Sequence, residues 1–237
     1  TLNLRLRFTG PHATGVITDE GEPEMELENV VPWGRSFEEY QAMFGLSEVD
    51  LNKQILGCGD GPASFNAEAT EKGSQITSCD PVYQFEAEDI KRRINDIFPD
   101  IMAKMKQGAN SYIWDSLGNV EGLGNVRVKA MSTFLQDFET GCRQGRYVPA
   151  SLPSLPFPDA SFDLALCSHY LFLYSDQIDE STHLASMREL CRVASEVRIF
   201  PVISLDGKTS AHLDSVMAAL SADGIDVALR AVGYRFQ

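Results

Sequence analysis

Residues 53–81 read KQILGCGDGPASFNAEATEKGSQITSCDP, the pattern of a strand, a glycine-rich turn, a helix and a second strand that ends in an acid. Gly57, Gly59 and Gly61 follow the apolar pair Ile55 and Leu56. With no Cβ at these positions the chain can turn tightly at the strand end, and its backbone N–H groups can approach a ligand. Asp80 closes the second strand 23 residues after Gly57. That interval suits a carboxylate that accepts hydrogen bonds from ribose hydroxyls, so the stretch reads as a nucleoside-cofactor site.

Outward from this unit, the strand at 54–56, the helix at 64–72 and the strand at 75–79 form a βαβ element, with a right-handed crossover expected. Ala87, Ile90, Ile94 and Ile97 then recur at helical spacing; Pro99 is expected to stop that helix and Asp100 to cap another running to about Lys106. Val128, Met131, Phe134, Leu135 and Phe138 make a further apolar stripe. About 65 residues separate Asp80 from the next strand candidate near Tyr147, several times the usual crossover. The excess, about residues 86–145, reads as a helical insertion beside the ligand crevice that can act as a lid. Tyr112 and Trp114 are its candidates for facing a substrate, with interhelical packing as the alternative.

The second half alternates strands and helices: a short strand at 146–149, a buried strand through Leu164 to Cys167, a helix at 183–194, a strand at 196–203, a helix around Leu213 to Leu220 and a strand from about Asp226. Upstream of the glycine turn, Leu2, Leu4, Leu6 and Phe8 alternate with polar residues, and EMELE at 24–28 alternates again. The two predict a small N-terminal hairpin within residues 1–32. The opening TLNLRLRF reads as mid-strand, as if residues precede it in the native product. After Pro32, Ser36 and Glu39 stand in capping-box spacing, Phe37, Tyr40 and Phe44 share one face, and Gly45 ends the helix. Trp33 and Arg35 precede it. A guanidinium there can grip a ligand carboxylate; the alternative is a tryptophan packed on the domain edge and a solvated arginine.

The formal net charge of −14, against a densest basic cluster of only Lys91 to Arg93, argues against nucleic acid and anionic membranes as partners. Five cysteines without a CxxC pair suit a reduced, cytoplasmic protein, and four scattered histidines imply no metal. No apolar run approaches the roughly 20 residues that cross a bilayer. With 237 residues and an ordinary share of apolar and charged side chains, the chain is expected to form one domain. A small-molecule substrate is expected, and oligomeric state is not readable.

Gly57-Cys58-Gly59-Asp60-Gly61, Asp80 and the stretch LPFPDASFDLALCSHYLF at 155–172 resemble the class I S-adenosylmethionine-dependent methyltransferases, over roughly residues 50–235. GRSFEEYQAMFGL and SFNAEATEKG further resemble an uncharacterised bacterial branch of that family. The resemblance implies an α/β fold with a doubly wound, mostly parallel Rossmann-like sheet, here with a helical insertion after the second strand and a small N-terminal β segment. It implies S-adenosylmethionine as cofactor, held by Gly57, Cys58, Gly59, Gly61, Asp80 and Pro81, by Ser151 and Leu152 near the adenine, and by Ser168, with Arg35 as partner of the methionine carboxylate. Three features depart from the family. Ile55 stands where its motif carries an acid, Ser151 replaces an acid near the adenine, and the antiparallel strand that normally closes the sheet has no counterpart after residue 236. The last predicts a truncated or incomplete sheet.

Methyl transfer from a sulfonium is an in-line displacement that needs alignment and exclusion of water more than a catalytic triad. Where the acceptor must lose a proton, His169 at the end of its strand is the candidate general base, with Tyr170 beside it near the substrate; the alternative is that His169 contributes only shape. Two other readings stay open. One is a methyltransferase-like module that binds a cofactor or protein without turnover. The other is a nicotinamide-dependent oxidoreductase, disfavoured because the glycines fall at every second position and Pro62 occupies the place of a dinucleotide fingerprint's third glycine.

Overall fold

A computed structural model describes residues 1–7, 27, 31–109, 114 and 118–234. In chain order these form β1 (Leu2–Arg7), α1 (Phe37–Phe44), α2 (Glu48–Leu51), β2 (Gln54–Cys58), α3 (Phe65–Glu71), β3 (Gln75–Cys79), α4 (Ala87–Gln107) and α5 (Val120–Arg143). They continue with β4 (Tyr147–Val148), β5 (Phe162–Ser168), α6 (Glu180–Val193), β6 (Ala194–Phe200), α7 (Leu213–Ala222) and β7 (Asp226–Ala231). The strands make one mixed, mostly parallel sheet in the order β4-β3-β2-β5-β6-β1-β7.

Strand β2 lies inside the sheet, between β3 and β5. Gly57 lies opposite Ser78 of β3 and Leu166 of β5, and Cys58 lies opposite Cys79 and Cys167. Alternate positions serve two cores. Leu56, Cys58, Ala165, Cys167, Val197 and Ile199 pack with Met187 and Leu190 of α6 and Val216 and Leu220 of α7. Ile55, Leu164, Leu166 and Phe200 pack instead with Tyr40, Met43 and Phe44 of α1 and Phe65 of α3. Helices thus cover both faces of the central strands.

β1 corrects two expectations. It does not belong to a separate hairpin: it runs antiparallel to β6 on one side, with Leu4 opposite Ile199, and to β7 on the other, with Leu4 opposite Leu229. Both of its edges are taken, so no edge is left for residues 24–28, which, Leu27 apart, lie outside the described residues. The sheet is also not left without its antiparallel strand, because β1 fills that place. Leu4 and Leu6 alternate into the core on one face and are fully buried there.

The helical insertion is a pair of long helices, α4 and α5. Pro99 does not end α4, which runs unbroken from Ala87 to Gln107. Proline removes one N–H and crowds the preceding turn, a local cost. Ile90 and Ile94 of the same helix are buried against Met131, Phe134 and Phe138 of α5, with Tyr83 and Tyr147 completing the cluster, and that packing carries the helix past the break. Val128, expected in the stripe, is instead exposed. The capping box and Gly45 stop of α1 are present as the sequence implies, the Ser36 hydroxyl accepting from the Glu39 N–H and Gly45 adopting φ 56°.

Because β1 is a load-carrying core strand in this arrangement, Leu4→Ala and Leu6→Ala should each lower unfolding stability by about 2–5 kcal/mol in urea titration. A loss below about 0.5 kcal/mol, the size typical of surface changes, would contradict its burial between β6 and β7.

Candidate functional site

The glycine turn follows β2 directly, and each glycine has its own cause. A Cβ on Gly57 would lie 1.9 Å from Oδ2 of Asp60, so the first glycine makes room for the turn's own carboxylate. Gly59 has φ 69°, and its N–H donates to the Cys79 carbonyl at 3.0 Å, tying the turn to the end of β3. A Cβ there would meet Tyr170 Cβ at 3.1 Å. Gly61 has φ 52°, and its N–H donates to Oδ2 of Asp80 at 2.8 Å. The turn and the acid that the sequence pairs at a distance are therefore in direct contact. Asp80 Oδ1 accepts the Val82 N–H at 2.9 Å, capping the short helical turn that starts at Pro81. Burial pushes the Asp80 carboxyl up to about 6, against the two N–H donors that favour its charge. Each oxygen keeps a lone pair for a ligand hydroxyl.

Beneath the turn lies a group that the sequence reading passed over. Asp60 is buried, Oδ1 accepting the Tyr40 hydroxyl and Oδ2 the Ser78 hydroxyl, each at 2.6 Å. Burial drives its carboxyl up to about 7, with the two hydroxyls opposing and Asp80 adding to the rise. At the end of β5 the Ser168 hydroxyl stands 3.1 Å from Nδ1 of His169. His169 has φ 49°, a left-handed backbone that its N–H bond to the Phe200 carbonyl at 2.7 Å helps to hold. Its ring meets Phe200 edge-on at 5.4 Å. Burial, then the nearby Arg35 and Arg127, hold its pKa well below the ordinary imidazole range, so the ring is neutral at pH 7.

The guanidiniums beside His169 form a second network. Arg127 of α5 is fully buried and grips Glu39 of α1 with two nitrogens, the Nη2 to Oε1 bond measuring 2.7 Å. Glu39 also accepts the Tyr234 hydroxyl at 2.8 Å and the Ser36 N–H at 2.9 Å. The Arg127 guanidinium lies 5.7 Å from the ring of Trp33. Arg35 donates to the Trp33 carbonyl at 3.3 Å, while its own carbonyl accepts the Ser64 N–H at the start of α3 at 3.0 Å. Its Nε is buried without a partner. Arg127 thus takes both oxygens of Glu39, and that carboxylate acts on Arg35 only through space.

The other expected site residues divide. Cys58 turns its thiol into the core, 3.2 Å from Cys79 Sγ, which leaves only its backbone for a ligand. Ser168 is buried with its hydroxyl against Nδ1 of His169. Ser151 pairs with Ser154 in an isolated bridge just beyond β4, and Leu152 is buried in the cluster that includes Cys79, so both stand at the Asp80 end of the sheet. Tyr170 is half-buried against Gly59. Trp114 donates its indole N–H to the Ala109 carbonyl at 2.8 Å, beyond the end of α4. Tyr112 lies outside the described residues. Ile55 is fully buried under α1 and α3, out of reach of a ligand. The residues missed, Asp60, Tyr40, Ser78, Glu39, Arg127 and Tyr234, had one visible signal: an acid inside the glycine turn. Among the described residues, no cluster of three or more His, Cys, Asp or Glu suits a metal, and no helix is long and apolar enough to cross a membrane.

Fold and site together define a mixed α/β protein with a polar cluster at the carboxyl ends of β2, β3 and β5. Over 200 residues the chain is 33% identical to the uncharacterized protein MJ0045 of Methanocaldococcus jannaschii, covering 84% of this chain and 89% of that one. The chain belongs to the family of that protein. No family model and no solved structure matches it.

The two raised carboxyls set a sign for stability. A carboxyl whose pKa is higher folded than unfolded contributes stability below about pH 4 that is lost as pH rises through its folded value, here about 6 for Asp80 and about 7 for Asp60. Asp60→Asn should therefore flatten the fall in urea midpoint between about pH 4 and pH 7. An unchanged slope would show that the Asp60 carboxyl is not held in this buried state.

Proposed function

We propose that this protein is an S-adenosylmethionine-dependent methyltransferase with a doubly wound, Rossmann-like sheet, acting on a small-molecule acceptor. The observation that carries the reading is the contact between the glycine turn after β2 and the acid after β3, joined by the Gly61 N–H bond to Asp80. The sheet supports it. Six strands run one way and only β1, between β6 and β7, is inverted, the place and direction of the antiparallel strand that closes the sheet of that family. In this chain the first strand rather than the last fills it.

The residues fit such a cofactor on their own chemistry. Asp80 keeps lone pairs for ribose hydroxyls, the glycines let the backbone approach, and the orphaned Nε of Arg35 wants an anion such as the methionine carboxylate. Arg35 also supplies the methionine end with a partner that Ile55 does not. Bound S-adenosylmethionine supplies an already activated methyl group, whose positive charge disappears on transfer. The protein's share is to align the acceptor, worth on the order of 7–11 kcal/mol, and to accept a proton where one is lost. His169, neutral at pH 7, is the candidate for that base. Trp33, Tyr170 and the α4–α5 pair are the elements for the acceptor side. The motif's first acid is missing, Ile55 being buried in the core in its place, and this favours a second reading, a cofactor- or partner-binding module without turnover.

Mass spectrometry of the purified protein should detect S-adenosylmethionine or its demethylated product, and calorimetry should measure binding. Asp80→Ala should weaken that binding by about 1–3 kcal/mol through loss of hydrogen bonds to a charged group. Absence of binding to the unaltered chain would remove the assignment. His169→Ala should lower turnover by a factor on the order of 10²–10⁴ with cofactor affinity nearly intact, and turnover unchanged from wild type would exclude it as the base.

A further inference from the structure

We propose that strand β7 is a surface for self-association: two copies of this chain pair β7 with β7, antiparallel about a two-fold axis at Ala228, and so join their seven-stranded sheets. The inference is independent of the methyl-transfer reading.

The two ends of the sheet are built differently. At one end β4 has only two residues, Tyr147 and Val148, with Pro149 next, so it offers almost no ladder to a further strand. At the other end β7 runs for six residues, Asp226–Ala231, without proline or lysine. Among the described residues no strand pairs with its outer side. The ladder to β1 fixes which backbone groups face that side. Val232 donates its N–H to the Thr1 carbonyl at 3.1 Å, and the register continues through Asn3 opposite Arg230, Arg5 opposite Ala228 and Arg7 opposite Asp226. In an antiparallel ladder, residues facing the partner strand alternate with residues facing away. Asp226, Ala228 and Arg230 therefore direct their N–H and C=O groups to β1, and Val227, Leu229 and Ala231 direct theirs outward.

A second copy must set outward residues opposite outward residues, which puts the two-fold axis at a residue rather than between two. An axis at Asp226 or at Arg230 opposes like charges. An axis at Val227 or Leu229 leaves each charge opposite an uncharged residue. Only the axis at Ala228 sets Asp226 opposite Arg230 of the second copy, twice over, with Val227 opposite Leu229. The charge pairs then fall at the non-hydrogen-bonded positions, where facing side chains come closest.

Both side chains are exposed, and neither has an ion-pair partner among the described residues. Arg7, opposite Asp226 in the ladder, turns instead to Glu196 at 3.4 Å. Arg5, Arg7 and Arg230 thus outnumber Asp226 around a small cavity on this face, a local positive excess in a chain of net charge −14, and Asp226 of the second copy answers it. On the opposite face Val227, Leu229 and Met217 of α7 are only partly buried against the core, which the second copy extends. Charges of one sign would guard an edge by repulsion. Here the two signs stand symmetrically about Ala228, which favours pairing with an identical strand.

Sedimentation equilibrium of the full chain should give twice the 26.2 kDa mass of one copy. Arg230→Asp and Asp226→Arg each create two like-charge pairs across the axis, and each should weaken the dimer at least about tenfold. Mixed in equal amounts, the two variants should associate with each other, because every pair across the axis is again of opposite sign. Ala228→Cys, in a chain whose exposed Cys142 is replaced by Ser, should form a covalent dimer with oxidised glutathione, since the two thiols face each other at the axis. A monomeric wild-type chain, or a dimer indifferent to both charge reversals, overturns the proposal. Reversed chains that stay apart on mixing, or no cross-link from Ala228→Cys, overturn the register and with it the axis at Ala228.

Discussion

The Asp60 carboxylate is the constraint around which the centre of this structure is arranged. It occupies the space where a Cβ of Gly57 would be, so it dictates the first glycine of the turn. It holds the Tyr40 hydroxyl of α1 and the Ser78 hydroxyl of β3, which fixes the turn between a helix and a strand from distant parts of the chain. A buried carboxyl with two neutral donors is stabilised enough to persist and too little to be an ordinary acid, hence its raised pKa. Asp50 gives the contrast within the same protein. Burial works to raise it too, but hydrogen bonds from Lys53, the Ser47 N–H and Arg198 hold it well below the ordinary carboxylate range. One acid is neutralised by cations as a structural pair. The other is kept apart from them.

Local signals in the sequence carried most of the secondary structure and the two halves of the turn. The capping box at Ser36 and Glu39, the glycines and the spacing to Asp80 are all short-range patterns with one physical cause each, and each is found in place. What escaped were interactions between residues remote in sequence. Glu39 and Arg127 are 88 residues apart, and nothing in either neighbourhood announces a bidentate pair. Tyr40 belongs to an apolar stripe by periodicity, yet its hydroxyl donates to the buried Asp60. Pro99 misled because the rule for proline weighs one hydrogen bond and one clash, whereas helix α4 is held by Ile90 and Ile94 in a shared aromatic cluster.

The place of β1 shows how little strand order is written in strand sequence. Alternation of Leu2, Leu4 and Leu6 with Asn3, Arg5 and Arg7 specifies a half-buried strand but not its neighbours. The choice is made by the faces. Leu4 and Leu6 complete the core under α7, while Arg5 lies opposite Arg198 on the other face, where Glu196 and Asp50 supply the compensating charge. An insertion between β6 and β7 satisfies both edges of β1, which pairing with a neighbouring hairpin segment would have left half open.

Charge is divided along the cluster in a way that follows from these contacts. Asp60 and Asp80 stand on the β3 side of the glycine turn with only hydroxyl and N–H donors. Arg127 holds Glu39, and Arg35 and Arg127 both lie close enough to His169 to disfavour its charge. Were Arg127 and Glu39 not paired, either two unpartnered guanidiniums or a third carboxyl would dominate the site. Their bidentate bond cancels one charge of each sign and leaves Arg35 as the cation in excess. Burial first, and then the same two guanidiniums, keep the His169 ring neutral beside this excess of positive charge.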